Sequence, residues 1–213
     1  MQIRLQQVSP DFIEEEKISG SQVWRSDLVF HPGEKVQIIA PSGSGKTSLM
    51  HFLYGLRKDY SGDIFYTEEN INGLDAESFS AYRSRSVSIV FQDLRLFTSQ
   101  TVFQNLEVKR QLNPFHTESR ITEMANRLGI GSKLNKPAST CSYGEQQRIA
   151  IVRALQQPYE FLLLDEPFSH LDDRNRKLAM DLVQDETALR KASMILADLK
   201  PHDFFKPDRS LNL

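Results

Sequence analysis

The chain has 213 residues, enough to bury a core without disulfides or structural metal and suited to one domain or one domain with a lobe. Its 39% hydrophobic and 25% charged residues exclude a disordered chain, and a formal net charge of −2 leaves no basic excess for unspecific nucleic-acid binding. The single cysteine, Cys141, excludes an intramolecular disulfide and fits a reducing compartment or a fold that needs no such bond. No apolar run reaches the ~18–20 residues of a membrane span, and residues 1–6 lack a signal-peptide core, so neither insertion nor secretion is expected; membrane contact through a partner stays open.

From the N-terminus, short strands come first. Ile3, Leu5 and Val8 alternate with polar residues as in a half-buried strand, and 23–30 and 63–67 are two further candidates. His31-Pro32-Gly33-Glu34 reads as a turn before an apolar run over 36–39. Further runs of strand length lie at 87–91, 161–164 and 194–196. Between 91 and 161 the pattern is helical. Val102–Leu112 suits one helix; Ile121, Met124, Ala125 and Leu128 share one face of a second, with Gly129 as its C′ residue; Ile149, Val152 and Leu155 mark a third, ending near Gln157-Pro158. Short apolar strands separated by helices predict an α/β fold whose parallel sheet is covered on both faces. The block 98–157 reads as a helical lobe inserted between two of its strands, with loop breaks at Asn113-Pro114 and Lys136-Pro137.

Ala40-Pro41-Ser42-Gly43-Ser44-Gly45-Lys46-Thr47 follows the strand over 36–39, and Ser48 continues into a helix. Strand, glycine-rich turn and helix form the context of a phosphate loop. Gly43 and Gly45 let backbone N–H groups converge on phosphate oxygens without a Cβ in the way. The helix turns its positive end to the same anion. Lys46 supplies a cation to the β- and γ-phosphates and Thr47 a hydroxyl to Mg²⁺. Ser42, Gly43, Ser44, Gly45, Lys46, Thr47 and Ser48 are the predicted nucleotide contacts. The motif's first glycine is Ala40, which requires a negative φ there.

The run 161–164 ends in Asp165-Glu166-Pro167. Two carboxylates at the C-terminal end of a buried strand lie on the edge where open α/β sheets bind ligands. Asp165 suits Mg²⁺, directly or through water, and Glu166 suits orienting or deprotonating an attacking water.

Cys141-Ser142-Tyr143-Gly144-Glu145-Gln146-Gln147-Arg148 opens the third helix with a hydroxyl, a glycine and a helix N-terminus, a second anion-binding arrangement. Here the chain resembles the ATP-binding cassette (ABC) ATPases, whose signature is a Leu-Ser-Gly-Gly-Gln-like loop. Cys141 stands for the leucine, Tyr143 for the first glycine and Glu145 for the glutamine. The resemblance runs from about Ile3 to Leu213, and the stretch 56–112 looks like the lipoprotein-release, macrolide-export and cell-division branch. It implies one ABC ATPase domain over 1–213. That domain would have a P-loop NTPase core with a mostly parallel sheet, an N-terminal antiparallel β subdomain and the helical subdomain at 98–157. It further implies ATP and Mg²⁺ as ligands, with Gln92 as the glutamine that senses γ-phosphate and metal. Ser169-His170-Leu171-Asp172 would be a dimer-contact loop. Phe12 stands where an aromatic stacks on adenine, a place a core phenylalanine would also fit. Ser142, Gly144 and Glu145 would close on ATP held by a second cassette, in a homodimer or heterodimer. A separate integral-membrane permease would receive the movement, with 97–112 as the docking surface, and the chain would sit in the cytoplasm on the inner face of the membrane.

One element of the pattern is missing. The family carries a switch histidine after a late strand, and here that place falls on Ala197 or Asp198; His202 is the nearest imidazole, beyond Lys200-Pro201. The expected activity is therefore a slow Mg²⁺-dependent ATPase. The alternative is a hydrolysis-impaired regulatory cassette that dimerises on ATP. Chromosome-organising and repair ATPases with similar motifs carry coiled-coil or zinc insertions between phosphate loop and signature; none fits between Lys46 and Ser142, and no nucleic acid is expected.

Overall fold

The computed structural model describes residues 1–213. In chain order it contains β1 (Ile3–Pro10), the short α1 (Glu15–Ile18), β2 (Asp27–Phe30), β3 (Lys35–Ile39), α2 (Lys46–Leu53), β4 (Tyr60–Tyr66), β5 (Glu69–Asn70), α3 (Ala76–Arg85) and β6 (Val87–Val90). Then come α4 (Val102–Leu112), α5 (Glu118–Arg127), α6 (Tyr143–Ala154), β7 (Phe161–Asp165), α7 (Asp173–Arg190), β8 (Ser193–Asp198) and β9 (Arg209–Asn212).

Two sheets result. An antiparallel sheet has the order β2-β1-β4-β5, and a second sheet, parallel throughout, has the order β6-β7-β8-β3-β9. In β1, Ile3 and Leu5 point inward, but Val8 is out of step with them. Gln7 takes φ 50° and the ladder shifts between Gln6 and Ser9, a bulge that returns Val8 to the buried face. The candidate strand at 23–30 is only half a strand. Val23 and Trp24 are buried, yet the Ser21 hydroxyl accepts both their N–H groups and Arg25 has φ 54°, so extended pairing starts at Asp27.

β7 and β8 of the parallel sheet are apolar on both faces because both faces are covered there. Leu162, Leu164, Met194 and Leu196 join the core shared with α4 to α7. Phe161, Leu163, Ile195 and Ala197 join the core shared with α2 and the antiparallel sheet. The helices of the inserted segment are set by their ends. Thr101 and Gln104 form a capping box on α4, and Gly129 takes φ 69° just past α5. The lobe is tied to α7 through an exposed pair, Arg127–Asp185, and through one buried carboxylate. Glu186 is buried and lies 2.7 Å from His116 Nε2, 2.8 Å from Arg120 Nη2 and 2.6 Å from Arg190 Nη1. Burial alone would raise its pKa, but these three donors outweigh it and hold the carboxyl at about 2.

Candidate functional site

The sheet order places four chain-distant segments at one edge. The C-terminal ends of β6, β7, β8 and β3 are neighbours there, so Gln92, Asp165-Glu166, Asp198 and the loop 40–45 converge. A cavity of ≈ 390 Å³ opens at this edge, lined by Phe12, Ile13, Glu14, Lys17, Ser42, Gly43, Gly45, Lys46, Thr47, Ser48, Gln92 and Glu166.

The loop is built for close backbone approach. Gly45 has φ 99°, and a Cβ on it would meet Ile13 Cδ1 at 2.7 Å and Trp24 Cζ2 at 3.0 Å. Ala40, in place of the motif's first glycine, is buried and has no positive φ, as the alanine requires. The Ser44 side chain turns into the loop. Its hydroxyl donates to Pro41 O at 2.8 Å and its carbonyl accepts Trp24 Nε1 at 3.3 Å, so this side chain closes the turn and does not line the cavity.

Lys46 is buried. Its Nζ donates to Ala40 O at 2.9 Å and Pro41 O at 3.0 Å and lies 3.4 Å from Glu166 Oε1. One turn of chemistry thus joins the loop cation to the strand-end acid. Glu166 itself has φ 45°, an unusual backbone for a non-glycine residue. Three backbone contacts hold it there: its N–H donates to Ala197 O at 2.9 Å, and its carbonyl accepts Gln147 Nε2 at 3.3 Å and Ser169 N–H at 3.4 Å.

Thr47 Oγ1 donates to Gln92 Oε1 at 3.0 Å, which brings two predicted metal ligands together. Asp165 lies below them. Both its carboxylate oxygens are buried with no hydrogen-bond partner. Burial pushes its pKa up to about 6; the Glu166 charge adds to this, while Thr47 and Lys46 oppose it. An unpartnered buried carboxylate beside a hydroxyl and an amide oxygen is an oxygen donor set that suits Mg²⁺. Thr47, Gln92 and Asp165 are the residues that could hold it.

Phe12 is 50% exposed on the cavity wall, so the core reading of this residue fails. The signature residues lie elsewhere. Ser142 is the N-cap of α6: its Oγ accepts Glu145 N–H at 3.3 Å, and Glu145 Oε2 accepts Ser142 N–H at 2.8 Å. Gly144 sits against the 169–172 loop, where a Cβ would come within 3.1 Å of His170 O. None of Ser142, Gly144 and Glu145 lines the cavity that holds Lys46.

Three positions carry weight that sequence reading did not give them. Gln147 is buried and links α6 to Glu166 O, to Ser169 Oγ at 3.2 Å and to His170 N–H at 3.1 Å. Arg153 donates to Leu94 O at 2.5 Å and Arg95 O at 2.7 Å, pinning the left-handed turn after Gln92. The signal for both was available: a polar side chain in the buried stripe of an amphipathic helix, as Gln147 is with Ala150 and Ala154. Trp24 is the third, and nothing in its local pattern pointed to the loop it supports.

The switch region resolves in geometry. Ala197 is fully buried in the core. Asp198 ends β8, with its backbone carbonyl accepting Ala40 N–H at 3.2 Å. Its carboxylate accepts Leu199 N–H at 2.7 Å and lies 2.7 Å from His202 Nε2. The His202 ring stacks on Phe204 and meets Phe168 edge-on, away from the cavity wall.

Comparison with known proteins adds the following. The ABC transporter family matches residues 24–169. The lipoprotein-releasing system ATP-binding protein LolD of Syntrophotalea carbinolica is 35% identical over 149 residues, 68% of this chain and 66% of that protein. LolD of Pseudomonas syringae pv. tomato is 33% identical over 174 residues, 79% of this chain and 76% of that protein. The macrolide export ATP-binding/permease protein MacB of Nitrosomonas europaea is 32% identical over 162 residues, 75% of this chain but only 25% of that longer protein. In three dimensions the chain is similar to a bacterial ABC transporter cassette solved as a dimer, with TM-score 0.82 and 24% identity over 99% of this chain and 94% of that one. The fold is therefore that of an ABC cassette: a P-loop core with its parallel sheet and a separate antiparallel sheet.

Proposed function

The chain belongs to the ABC transporter family, and from that membership we propose that it is an ATP-binding and ATP-hydrolysing subunit, working as a pair of cassettes with a separate membrane permease. The observation that carries this reading is the edge where Lys46, Thr47, Gln92, Asp165 and Glu166 meet, while the second anion-binding helix end, at Ser142, does not line the cavity that holds Lys46. One chain supplies two half-sites, and two chains head to tail complete both. The whole chain acts as one cassette, with the inserted helices as its helical subdomain.

The triphosphate lies on the N–H groups of the loop and the N-terminus of α2, with Lys46 turning from its loop carbonyls to the β- and γ-phosphates. Phe12 offers its exposed ring to the adenine. When bound at Thr47, Gln92 and Asp165, Mg²⁺ neutralises charge on the phosphates. Glu166 orients the attacking water and takes up its proton; its position 3.4 Å from Lys46 Nζ, on the cavity wall, supports that role. Water adds to the γ-phosphorus, the bond to the β-phosphate oxygen breaks, and ADP and phosphate leave. Gln147 transmits cassette closure to Glu166, because it ties the signature helix to the Glu166 carbonyl.

Asp198 takes the switch position, since Ala197 is spent in the core. A carboxylate there cannot donate to the γ-phosphate and adds negative charge beside it, so turnover is slow. Loss of one such positioning contact costs ~10²–10³-fold. The same observation favours the second reading, a regulatory cassette that dimerises on ATP and hydrolyses it poorly. Steady-state Mg-ATPase of wild type and Glu166→Gln separates the two: catalysis gives a slow rate that the variant abolishes, and the regulatory reading gives a wild-type rate no higher than that of the variant.

No helix of the chain is long and apolar enough to cross a membrane. The lobe exposes Phe97 (54%), Leu112 (69%), Val108 and Phe115, more apolar surface than its own packing uses. We assign this face to the permease, which would hold the chain on the inner side of the membrane. The names of the relatives, ATP-binding proteins of a releasing system and a fused ATP-binding/permease protein, support that arrangement.

A further inference from the structure

We infer that Arg57 is a positioning residue for the nucleotide base, an assignment that rests on the ATP-binding reading above. Arg57 lies between α2 and β4, in no motif discussed so far. Its guanidinium Cζ is 4.5 Å from the centroid of the Phe12 ring and 5.8 Å from that of Phe52. Phe52 is fully buried, Phe12 is half exposed, and Arg57 is not part of the cavity wall that Phe12 and Ser48 share. The guanidinium therefore covers one face of the Phe12 ring without entering the cavity that Phe12 lines.

Its donors fix this plate in place. Nε donates to Asp59 Oδ1 at 2.9 Å, Nη2 bonds Asp59 Oδ2, and Nη1 donates to Ser48 Oγ at 3.1 Å. The fork to Asp59 sets the orientation of the plane. The bond to Ser48 ties that plane to the first turn of α2, the helix that carries Lys46 and Thr47. A planar cation over an aromatic face is attracted by the ring quadrupole, so Arg57 holds an otherwise loose ring. It thereby fixes the spacing between base platform and phosphate cradle before ligand arrives. Three of its five N–H donors go to Asp59 and Ser48, and the side chain does not line the cavity, which makes it a support for Phe12 and not a phosphate ligand.

The two halves of the ligand test this separately. Isothermal titration of the full chain with Mg-ATP and with Mg-tripolyphosphate, which has no base, compares wild type, Arg57→Met, Arg57→Lys, Phe12→Ala and the double variant Phe12→Ala/Arg57→Met. Arg57→Met is expected to weaken Mg-ATP roughly three- to tenfold and to leave Mg-tripolyphosphate within about twofold. Arg57→Lys, which keeps a cation over the ring, recovers part of the loss. In the Phe12→Ala background, Arg57→Met has no further effect. Equal weakening of both ligands would place Arg57 in the service of the phosphate loop through Ser48 and overturn the assignment. So would unchanged ATP binding, or a full Arg57→Met effect without Phe12. Should Arg57→Met lower thermal stability, the comparison of the two ligands in Arg57→Lys decides in the same way. Failure of the wild type to bind either ligand would overturn the ATP reading itself.

Discussion

Asp165 is held in its place at a cost in the free protein, and that cost has a pH signature. Its folded pKa of about 6 lies above the ordinary carboxylate value, so between those two values the folded state binds the extra proton and stability falls as pH rises. Asp165→Asn should therefore raise thermal stability at pH 7 without Mg²⁺, by on the order of 2 kcal/mol, and have little effect near pH 4. The same substitution should remove the stabilisation that Mg²⁺ gives wild type, which itself should fade below about pH 6 as Asp165 protonates. Melting curves at pH 4, 6 and 7 with and without Mg²⁺ check both; an Asp165→Asn variant less stable than wild type at pH 7 would contradict them. A second residue-scale test concerns the switch. Asp198→His should raise steady-state Mg-ATPase, from a wild-type turnover well below the ~10 s⁻¹ of an average enzyme. Ala197→His should instead destabilise the fold by ~1–3 kcal/mol through overpacking of a fully buried site. Collapse of wild-type turnover in His202→Ala would show that His202 leaves Asp198 to act as the switch.

At the scale of elements, the strand ends do the work and the chain order hides it. The strands over 36–39, 87–91, 161–164 and 194–196 were readable because a buried parallel strand is a continuous apolar run. Their neighbourhood was not readable from periodicity, since β3 enters the sheet between β8 and β9, the strands farthest from it along the chain. The edge strand β9 escaped notice for a physical reason. Arg209, Ser210 and Asn212 surround its one buried apolar residue, Leu211, because an edge strand has solvent to satisfy. The phosphate loop, Asp165 and Glu166 were legible because their chemistry needs rare residue types at fixed spacing. Gln147 and Arg153 showed only as polar residues in a buried helical stripe, their partners being set by long-range hydrogen bonds, and Arg57 gave no signal because its contact with the Phe12 ring depends on the fold. The ion cluster joining lobe and core belongs at this scale too. Glu186→Gln leaves Arg190 and His116 buried without their carboxylate, and should cost about 3 kcal/mol at pH 7. The folded pKa of Glu186 is depressed, so its contribution is present above the ordinary carboxylate range and is lost as pH falls toward 2. Denaturant titrations should show the gap between variant and wild type narrowing from pH 5 to pH 3.

At the scale of the whole molecule, the proposed function needs two phosphate-binding helix ends, and Ser142, Gly144 and Glu145 do not line the cavity that holds Lys46. The N-terminus of α2 faces the ≈ 390 Å³ cavity, while the N-terminus of α6 is capped by Ser142 and Glu145 and packs on the 169–172 loop. On the proposed function a single chain then binds ATP without enclosing it. Ser142→Arg should leave the affinity of the lone chain for Mg-ATP within about threefold of wild type, because Lys46, Thr47 and the loop are untouched; Lys46→Ala should weaken it strongly. The most direct test of the account is light scattering on Glu166→Gln with Mg-ATP, where the amide keeps the shape of the carboxylate and stops the reaction. The account predicts a dimer that requires ATP, that forms neither with ADP nor in Glu166→Gln/Ser142→Arg, and that falls apart when Mg-ATP is removed. A monomer at saturating Mg-ATP, or a dimer that forms equally well with Ser142→Arg, would contradict it.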